Sequence, residues 1–553
     1  MSAGAARAGE PPGPAPRRIL FTTSNGTGLG HLTRSMAIAR RLGPELEPLF
    51  LTLSAAAPVV DRMGFAVEYV ASYATPGSGN DYRWSRRLRA RLRAAIAEAG
   101  PAAIVFDGTH PYEALLGSLP SDGVAVWCRR PLWKRGSSRV PLGRAGAFDA
   151  VLEPGELAEA EDRGPTVALR DRAHRVDPIV LLDRAELLPR AEAEAELGLE
   201  PGRTNVLVSL GQGDEVRDAT ARCLRRLAAR DEVQVAALSS AIAAAGEVPE
   251  GVVHLRSTYP MSRYFAAFDG AVAAAGYNAY HELIALGVPA IYVPMRRDTD
   301  DQPARARHAE AVGVGVAVEG PADRRLEEAL DRLLDPAARA QIAGRLADLA
   351  MPNGAPDAAH WLAELAVGAP DATLSPAGRP RAPDEQTGAG DRSHGAGQIL
   401  PPGGGRSARE GSRRSFRRRW GQFLASAPRT AVRLARHQLT QPRARTLIVA
   451  IEIGEGEVVK AVGEALAGAA EEPARALVVT DALAALAELR GLGVGVEHVP
   501  GRDSRQAELA GGTYEEFLRG RLRLIVAERP RPRRVLTASG GRPAPEFVAR
   551  GRS

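Results

Sequence analysis

From Asp269 the chain reads DGAVAAAGYNAYHELIALGVPAIYVPM and continues RRDTDDQPARARHAEA, a stretch whose residue types suit a phosphate, a ribose and a sugar. Small and β-branched residues from Gly270 to Ala274 predict a buried strand, ended by the turn Ala275-Gly276-Tyr277-Asn278. A helix follows, and Gly287-Val288-Pro289 closes it before a second strand, Ala290 to Val293. Strand, glycine turn and helix leave backbone N–H groups at a helix N-terminus, a ready site for a phosphate. Glu282 stands four residues after Asn278, so its carboxylate lies one turn in and has lone pairs for both hydroxyls of a ribose. Asp301 and Gln302, in the polar loop that begins at Arg296, suit sugar hydroxyls. Together these groups describe a nucleotide-sugar site; the plainer alternative is an ordinary βαβ unit with a polar loop.

A second strand–glycine loop–helix opening lies near the N-terminus. RILFTT, Arg18 to Thr23, runs into Ser24-Asn25-Gly26-Thr27-Gly28-Leu29-Gly30-His31 and then an amphipathic helix from Leu32 to Leu42. The glycines spell G-x-G-x-G and not G-x-G-x-x-G, and the next strand, Pro48 to Leu53, brings no acid for an adenosine ribose. That argues against a nicotinamide enzyme. His31 stands at a helix N-terminus, where the dipole disfavours imidazolium, so a neutral ring able to take a proton is expected. Its other possible role is a helix cap or a loop hydrogen bond. Arg34, one turn on, either meets a phosphate or is solvated. His110 follows a strand, Ala103 to Phe106, at the end where open α/β sheets bind ligands. Arg130 and Trp133, after the strand Val124 to Cys128, offer a cation and an apolar face to an acceptor.

The segment Gly276 to Asn278, Glu282, Gly287-Val288-Pro289-Ala290, Asp301-Gln302 and Arg305-Ala306 resembles the donor-binding signature of GT-B glycosyltransferases. The group most like it is typified by the UDP-N-acetylglucosamine transferase of peptidoglycan synthesis. Asn25 to Arg34 is similar to the first glycine loop of those enzymes, with a G-H-x-x-R also seen in UDP-sugar hydrolases. The resemblance covers residues 17–367 and implies an α/β fold of two facing Rossmann-like domains, an acceptor domain at 17–185 and a donor domain at 186–367. It implies an inverting, metal-independent transfer from a UDP-sugar to an acceptor hydroxyl, with His31 as the base and no cofactor. Donor-binding residues would be Gly211, Gln212 and Gly213 near the diphosphate, Tyr259 or Met261 beside the base, and Gly276, Tyr277, Asn278, Glu282, Asp301 and Gln302. The acceptor side would draw on Gly28, Gly30, Arg34, His110, Arg130 and Trp133. Asp298-Thr299-Asp300 spells D-x-D, the metal motif of the other glycosyltransferase fold, and its place in a GT-B donor loop makes that a coincidence of letters. Asp301-Gln302 stands where the enzymes it resembles have Gln-Gln, which leaves the sugar open, as is the choice between UDP and dTDP. The alternatives are a UDP-sugar hydrolase of the same fold and a non-catalytic nucleotide-sugar-binding scaffold.

Length and composition fit this organisation. The 553 residues allow about three domains, and 44% hydrophobic with 25% charged residues is ordinary for a globular protein. Two cysteines, Cys128 and Cys223, give no disulfide framework and fit a reducing cytoplasm. Residues 1–16 have no apolar core of a signal peptide and are expected to be disordered, and no apolar run is long enough to span a bilayer. Residues 368–440 are rich in Pro, Gly and polar residues and then strongly basic, an expected linker. Between 406 and 445 stand twelve arginines and one acid, Glu410, interleaved with Phe416, Trp420 and Phe423. That pattern suits an anionic membrane surface on the cytoplasmic side; nucleic acid is not expected as a partner. From 441 to 553 the βα alternation resumes as a partial Rossmann-like domain without a motif.

Overall fold

The computed structural model describes residues 15–24, 29–73, 81–120, 123–211, 214–238, 250–255, 258–368, 446–526 and 532–538. Gly28, Gln212, Gly213 and the basic stretch 406–445 lie outside the described residues.

The described chain forms three wholly parallel sheets. The first is built from β1 (Arg17–Thr23), β2 (Leu46–Thr52), β3 (Ala66–Tyr69), β4 (Ala103–Asp107), β5 (Val124–Cys128), β6 (Ala150–Pro154) and β7 (His174–Val176), in the order β3-β2-β1-β4-β5-β6-β7. The second uses β8 (Thr204–Ser209), β9 (Val233–Leu238), β10 (Val252–Leu255), β11 (Gly270–Ala274), β12 (Ala290–Val293) and β13 (Val316–Ala317), in the order β10-β9-β8-β11-β12-β13. The third joins β14 (Thr446–Ala450), β15 (Ala476–Thr480), β16 (Gly495–His498) and β17 (Arg534–Thr537) as β16-β15-β14-β17. Parallel strands need covered faces, and the short apolar runs RILFTT, NVLVSL and TLIVA supply strands buried on both sides. The predicted two-unit α/β architecture with a further α/β part is what the chain adopts.

Helices cover these faces. The first unit has α1 (Gly30–Ala39), α2 (Ala57–Arg62), α3 (Asp81–Ala99) and α4 (Glu113–Leu116). The second has α5 (Arg190–Leu197), α6 (Asp214–Ala228), α7 (Tyr277–Leu286), α8 (Gln302–Ala311), α9 (Leu326–Leu334) and α10 (Pro336–Leu349). The next helix, α11 (Ala355–Val367), leaves the second unit and buries Ala358, Ala359, Leu362 and Ala366 in the core of the first. The chain therefore passes between the units twice. The two passages lie side by side: Gly354 N–H donates to Pro178 O at 2.9 Å, and Val180 N–H donates to Asn353 Oδ1 at 3.2 Å. Gly354 is required there because a Cβ would fall 2.0 Å from Asp177 O.

The third sheet carries α12 (Glu455–Ala469), α13 (Leu486–Gly491), α14 (Arg505–Ala510) and α15 (Tyr514–Val526). It docks with β16 beside β3, the free edge of the first sheet. Tyr69 N–H donates to His498 Nδ1 at 3.4 Å, and Ala71 N–H donates to Glu497 Oε2 at 3.4 Å. Side chains of one edge thus occupy the backbone donors of the other, which keeps the edge from pairing elsewhere.

Burial pushes His498 down to about 4, with Arg91 acting in the same sense and Glu68 and Glu497 opposing. An unfolded histidine titrates near 6.5. Below that pH the unfolded chain binds a proton that the folded chain refuses, so stability is lost as the pH falls from 6.5 towards 4, by up to ~1.4 kcal/mol per pH unit. Urea midpoints at pH 7 and pH 5 should therefore drop further for the parent than for His498→Gln; equal drops would assign the acid sensitivity elsewhere.

Candidate active site

Each of the first two sheets reverses its strand order once, and open α/β sheets bind ligands at the carboxyl ends of the strands at that point. In the first sheet the reversal falls between β1 and β4, whose ends lead to the glycine loop before His31 and to Asp107. In the second it falls between β8 and β11, whose ends lead to Gly211, at φ +86°, and to the Gly276 turn. The helices after the two glycine turns, α1 and α7, meet across the cleft, where Asn278 Nδ2 donates to Gly30 O at 3.4 Å.

On the first unit's side one buried carboxylate holds two groups. His31 Nδ1 lies 2.6 Å from Asp107 Oδ1, while Arg34 donates through Nη2 to Oδ1 at 2.6 Å and through Nε to Oδ2 at 3.0 Å. Burial raises the Asp107 carboxyl, but Arg34 and the His31 hydrogen bond outweigh it and hold the group below its usual range. An ionised carboxylate only accepts, so Nδ1 of His31 carries the proton and Nε2 keeps its lone pair. Burial lowers His31 below its ordinary value against the opposing pull of Asp107, so the ring is neutral at pH 7. Asp107 was not singled out from the sequence as a site residue. Its one sequence signal is its position at the end of the strand beside β1. Arg34 corrects the expectation of a phosphate contact or a solvated side chain: it is 2% exposed and its guanidinium is taken up by Asp107.

Across the cleft α7 begins at Gly276 without a side-chain cap, so its first-turn N–H groups have no capping side chain. Asn278 Oδ1 is buried with no hydrogen-bond partner. Glu282 is partly buried, and desolvation pushes its carboxyl up to about 7, against the opposing effect of the Leu181 N–H. Tyr277 turns away from the cleft: its hydroxyl donates to Gly155 O at 2.9 Å and accepts from Ile179 N–H at 3.0 Å. The guanidinium carbons of Arg34 and Arg305 lie 5.1 and 5.7 Å from its ring centroid. Only its backbone can meet a donor.

The loop bearing Asp301 and Gln302 is fastened to the first unit. Trp133 and Asp300 form an antiparallel bridge, Lys134 N–H donates to Thr299 O at 2.7 Å, and Asp301 N–H donates to Leu132 O at 3.1 Å. Asp300 pairs with Arg130 and, at 2.7 Å, with Arg305, whose Nε binds Glu156 at 2.8 Å. Gln302, 4% exposed, accepts from Met295 N–H at 2.8 Å and donates to Asp300 at 3.1 Å. Asp301 caps α8 by accepting from Ala304 N–H at 3.2 Å. The acceptor role expected for Arg130 and Trp133 is corrected here. Trp133 is 2% exposed and offers no face, and Arg130 is bound to Asp300, so both brace the opposite loop. Asp300 of the D-x-D letters is likewise consumed by arginines and Gln302.

Tyr259 stays at the cleft, its hydroxyl 3.0 Å from Thr33 Oγ1 on α1. Met261 is 8% exposed within the second unit's core and less suited to a nucleobase. His110 is exposed. No cluster of three or more metal-ligating side chains exists among the described residues, and no helix there is long and apolar enough to cross a membrane.

No protein-family model matches the chain. It is 32% identical over 306 residues to the UDP-N-acetylglucosamine--N-acetylmuramyl-(pentapeptide) pyrophosphoryl-undecaprenol N-acetylglucosamine transferase of Clavibacter sepedonicus, covering 53% of this chain and 77% of the relative. The protein of the same name from Corynebacterium jeikeium (strain K411) is 26% identical over 386 residues, 65% of this chain and 98% of the relative. Among solved structures, spinosyn forosaminyltransferase SpnP superposes with a TM-score of 0.47 at 17% identity, over 64% of this chain and 100% of that one. With two facing units of the expected kind and a relative matched along most of its length, the chain is a GT-B glycosyltransferase and belongs to the family of the N-acetylglucosamine transferases of peptidoglycan synthesis.

Proposed function

We propose that the chain transfers a sugar from a UDP-sugar to a hydroxyl of a lipid-linked glycan, with inversion and without a metal ion. The observation that carries this reading is the His31–Asp107 pair, held at one switch point and facing the uncapped start of α7 at the other. The acceptor O–H gives its proton to His31 Nε2. Its oxygen forms a bond to the anomeric carbon as the bond from that carbon to the diphosphate breaks, the electron pair leaving with UDP. Asp107 keeps Nε2 aimed and steadies the imidazolium that forms. Backbone N–H groups at the start of α7 and around Gly211 meet the charge on the leaving diphosphate. Glu282, one turn further along α7, accepts the ribose hydroxyls, and Tyr259 lies beside the base. The names of the relatives support UDP-N-acetylglucosamine as donor and a pyrophosphoryl-undecaprenol glycan as acceptor. An oriented neutral base favours this over a scaffold without activity. The hydrolase reading differs only in placing water where the acceptor hydroxyl sits.

His31→Ala should lower kcat about 10²–10⁴-fold, the usual range for a general base, while UDP affinity holds. Because burial lowers the pKa of His31, the acid limb of kcat at saturating donor should lie below 6.5 and vanish in the variant. The same assay should keep its rate within about twofold in EDTA, a change of roughly 0.4 kcal/mol in the barrier. Near-full turnover by the alanine variant would remove the base from the mechanism, rescue by Mg²⁺ after EDTA would overturn metal independence, and fast UDP release without acceptor would make the enzyme a hydrolase.

Glu282 gives a separate test. Only the ionised carboxylate accepts two hydroxyls, so UDP should bind more tightly as the pH rises through about 7. Glu282→Gln should flatten that rise, weaken UDP by about 1.5–3 kcal/mol and lose discrimination against 2′-deoxy-UDP. Calorimetric titration of both nucleotides measures it. A variant that still separates them would make Glu282 a support of its helix.

A further inference from the structure

The third sheet repeats the first half of the first. Its order β16-β15-β14-β17 is that of β3-β2-β1-β4, with the same alternation of strand and helix apart from the added α14 between β16 and α15. The sequences follow suit. Gly64-Phe65-Ala66-Val67-Glu68-Tyr69-Val70 answers to Gly493-Val494-Gly495-Val496-Glu497-His498-Val499, and the two leading glycines share φ values of +84° and +80°. Leu88-Arg89-Ala90-Arg91-Leu92-Arg93 answers to Leu518-Arg519-Gly520-Arg521-Leu522-Arg523. Thr52 Oγ1 accepts from Ser54 N–H at 3.0 Å, as Thr480 Oγ1 does from Ala482 N–H at 3.0 Å.

Equivalent residues meet across the contact. Arg91 binds Glu68 at 2.6 Å, and its counterpart Arg521 binds the same carboxylate at 3.1 Å. Arg91 also lies 3.9 Å from Glu497, the counterpart of Glu68, and donates to His498 O at 2.9 Å. Arg521 adds Glu98 at 2.6 Å. All these side chains but Glu98 are almost wholly buried. A surface on which residue i meets j and j meets i is the signature of contact between two copies of one unit. The repeat has lost the chemistry, however. Asp107 stands beside Thr23 at the end of β4, whereas the residue that follows β17 is Ala538, bonded through its N–H to Val449 O, and α12 opens with Glu455-Gly456-Glu457 where α1 opens with Gly30-His31-Leu32. Two acids in that first turn oppose a phosphate.

We infer that residues 446–538 are a catalytically empty partial copy of residues 17–107, bound to the β3 edge as a second copy of the chain would bind, with Glu68, Arg91 and Arg521 as the lock. The unit is a built-in partner subunit. It occupies the surface through which two first units would otherwise pair.

The test uses the full chain with a protease site placed between residues 369 and 445, cut after folding and sized by light scattering. The cut parent should remain one particle of the intact mass. Cut Arg521→Glu should separate into two pieces, and the N-terminal piece, with Glu68 and Arg91 intact, should run as a dimer. If Arg521→Glu does not accumulate, Arg521→Met removes the charge while keeping a long apolar side chain over the Phe517 ring. Separation of the cut parent, or a variant that stays whole, would overturn the lock. A monomeric N-terminal piece would overturn the equivalence of the two partners.

Discussion

A single guanidinium, that of Arg305, fixes how the two catalytic units face each other. It has no solvent exposure and sits between Glu156, in the loop after the first unit's β6, and Asp300, in the loop after the second unit's β12. Burial raises Glu156, yet Arg305 and His281 hold it down at about 2. Ions this deep are costly unless each is matched, and removing one partner leaves another stranded. Arg130 completes the set by reaching Asp300 from the first unit. The closed side of the cleft is therefore set by charge pairing, and the backbone bridge at Trp133 and Asp300 gives it direction.

Within that frame the reactive side relies on a comparable economy. Asp107 is both the counter-ion of Arg34 and the orienter of His31, so the strand that positions one positions the other. Burial works on the two sides of the cleft in opposite ways. It lowers a histidine, His31, and it raises a carboxyl, Glu282, in each case favouring the uncharged form.

What the sequence made legible was local. A strand, a glycine turn and a helix within a dozen residues give both switch-point loops, and position alone singles out His31, Asn278 and Glu282 as candidates. The rest depends on pairings between distant segments. Arg34 meets Asp107 seventy-three positions away, and Arg130 meets Asp300 at a separation of 170. A tryptophan in a basic loop looks like a stacking surface until the loop opposite is seen to cover it. Tyr277 likewise sits in a donor turn yet spends its hydroxyl on the segment between the units. The repeat in the C-terminal part was hidden for another reason: its likeness lies in sheet order and a few buried positions, while the motif residues that draw the eye are missing.

The paired passages of chain between the units have a mechanical consequence. One connection would let the two halves swivel like beads on a string. Two connections, hydrogen-bonded through Gly354 and Asn353 to Pro178 and Val180, act as the two pins of a door. Such a pair resists twist and permits rotation about the line that joins the pins. The turn before α7 and the helix carrying His31 could part along that arc only as Arg305 leaves Glu156 and Arg130 leaves Asp300, and would meet again at the same alignment.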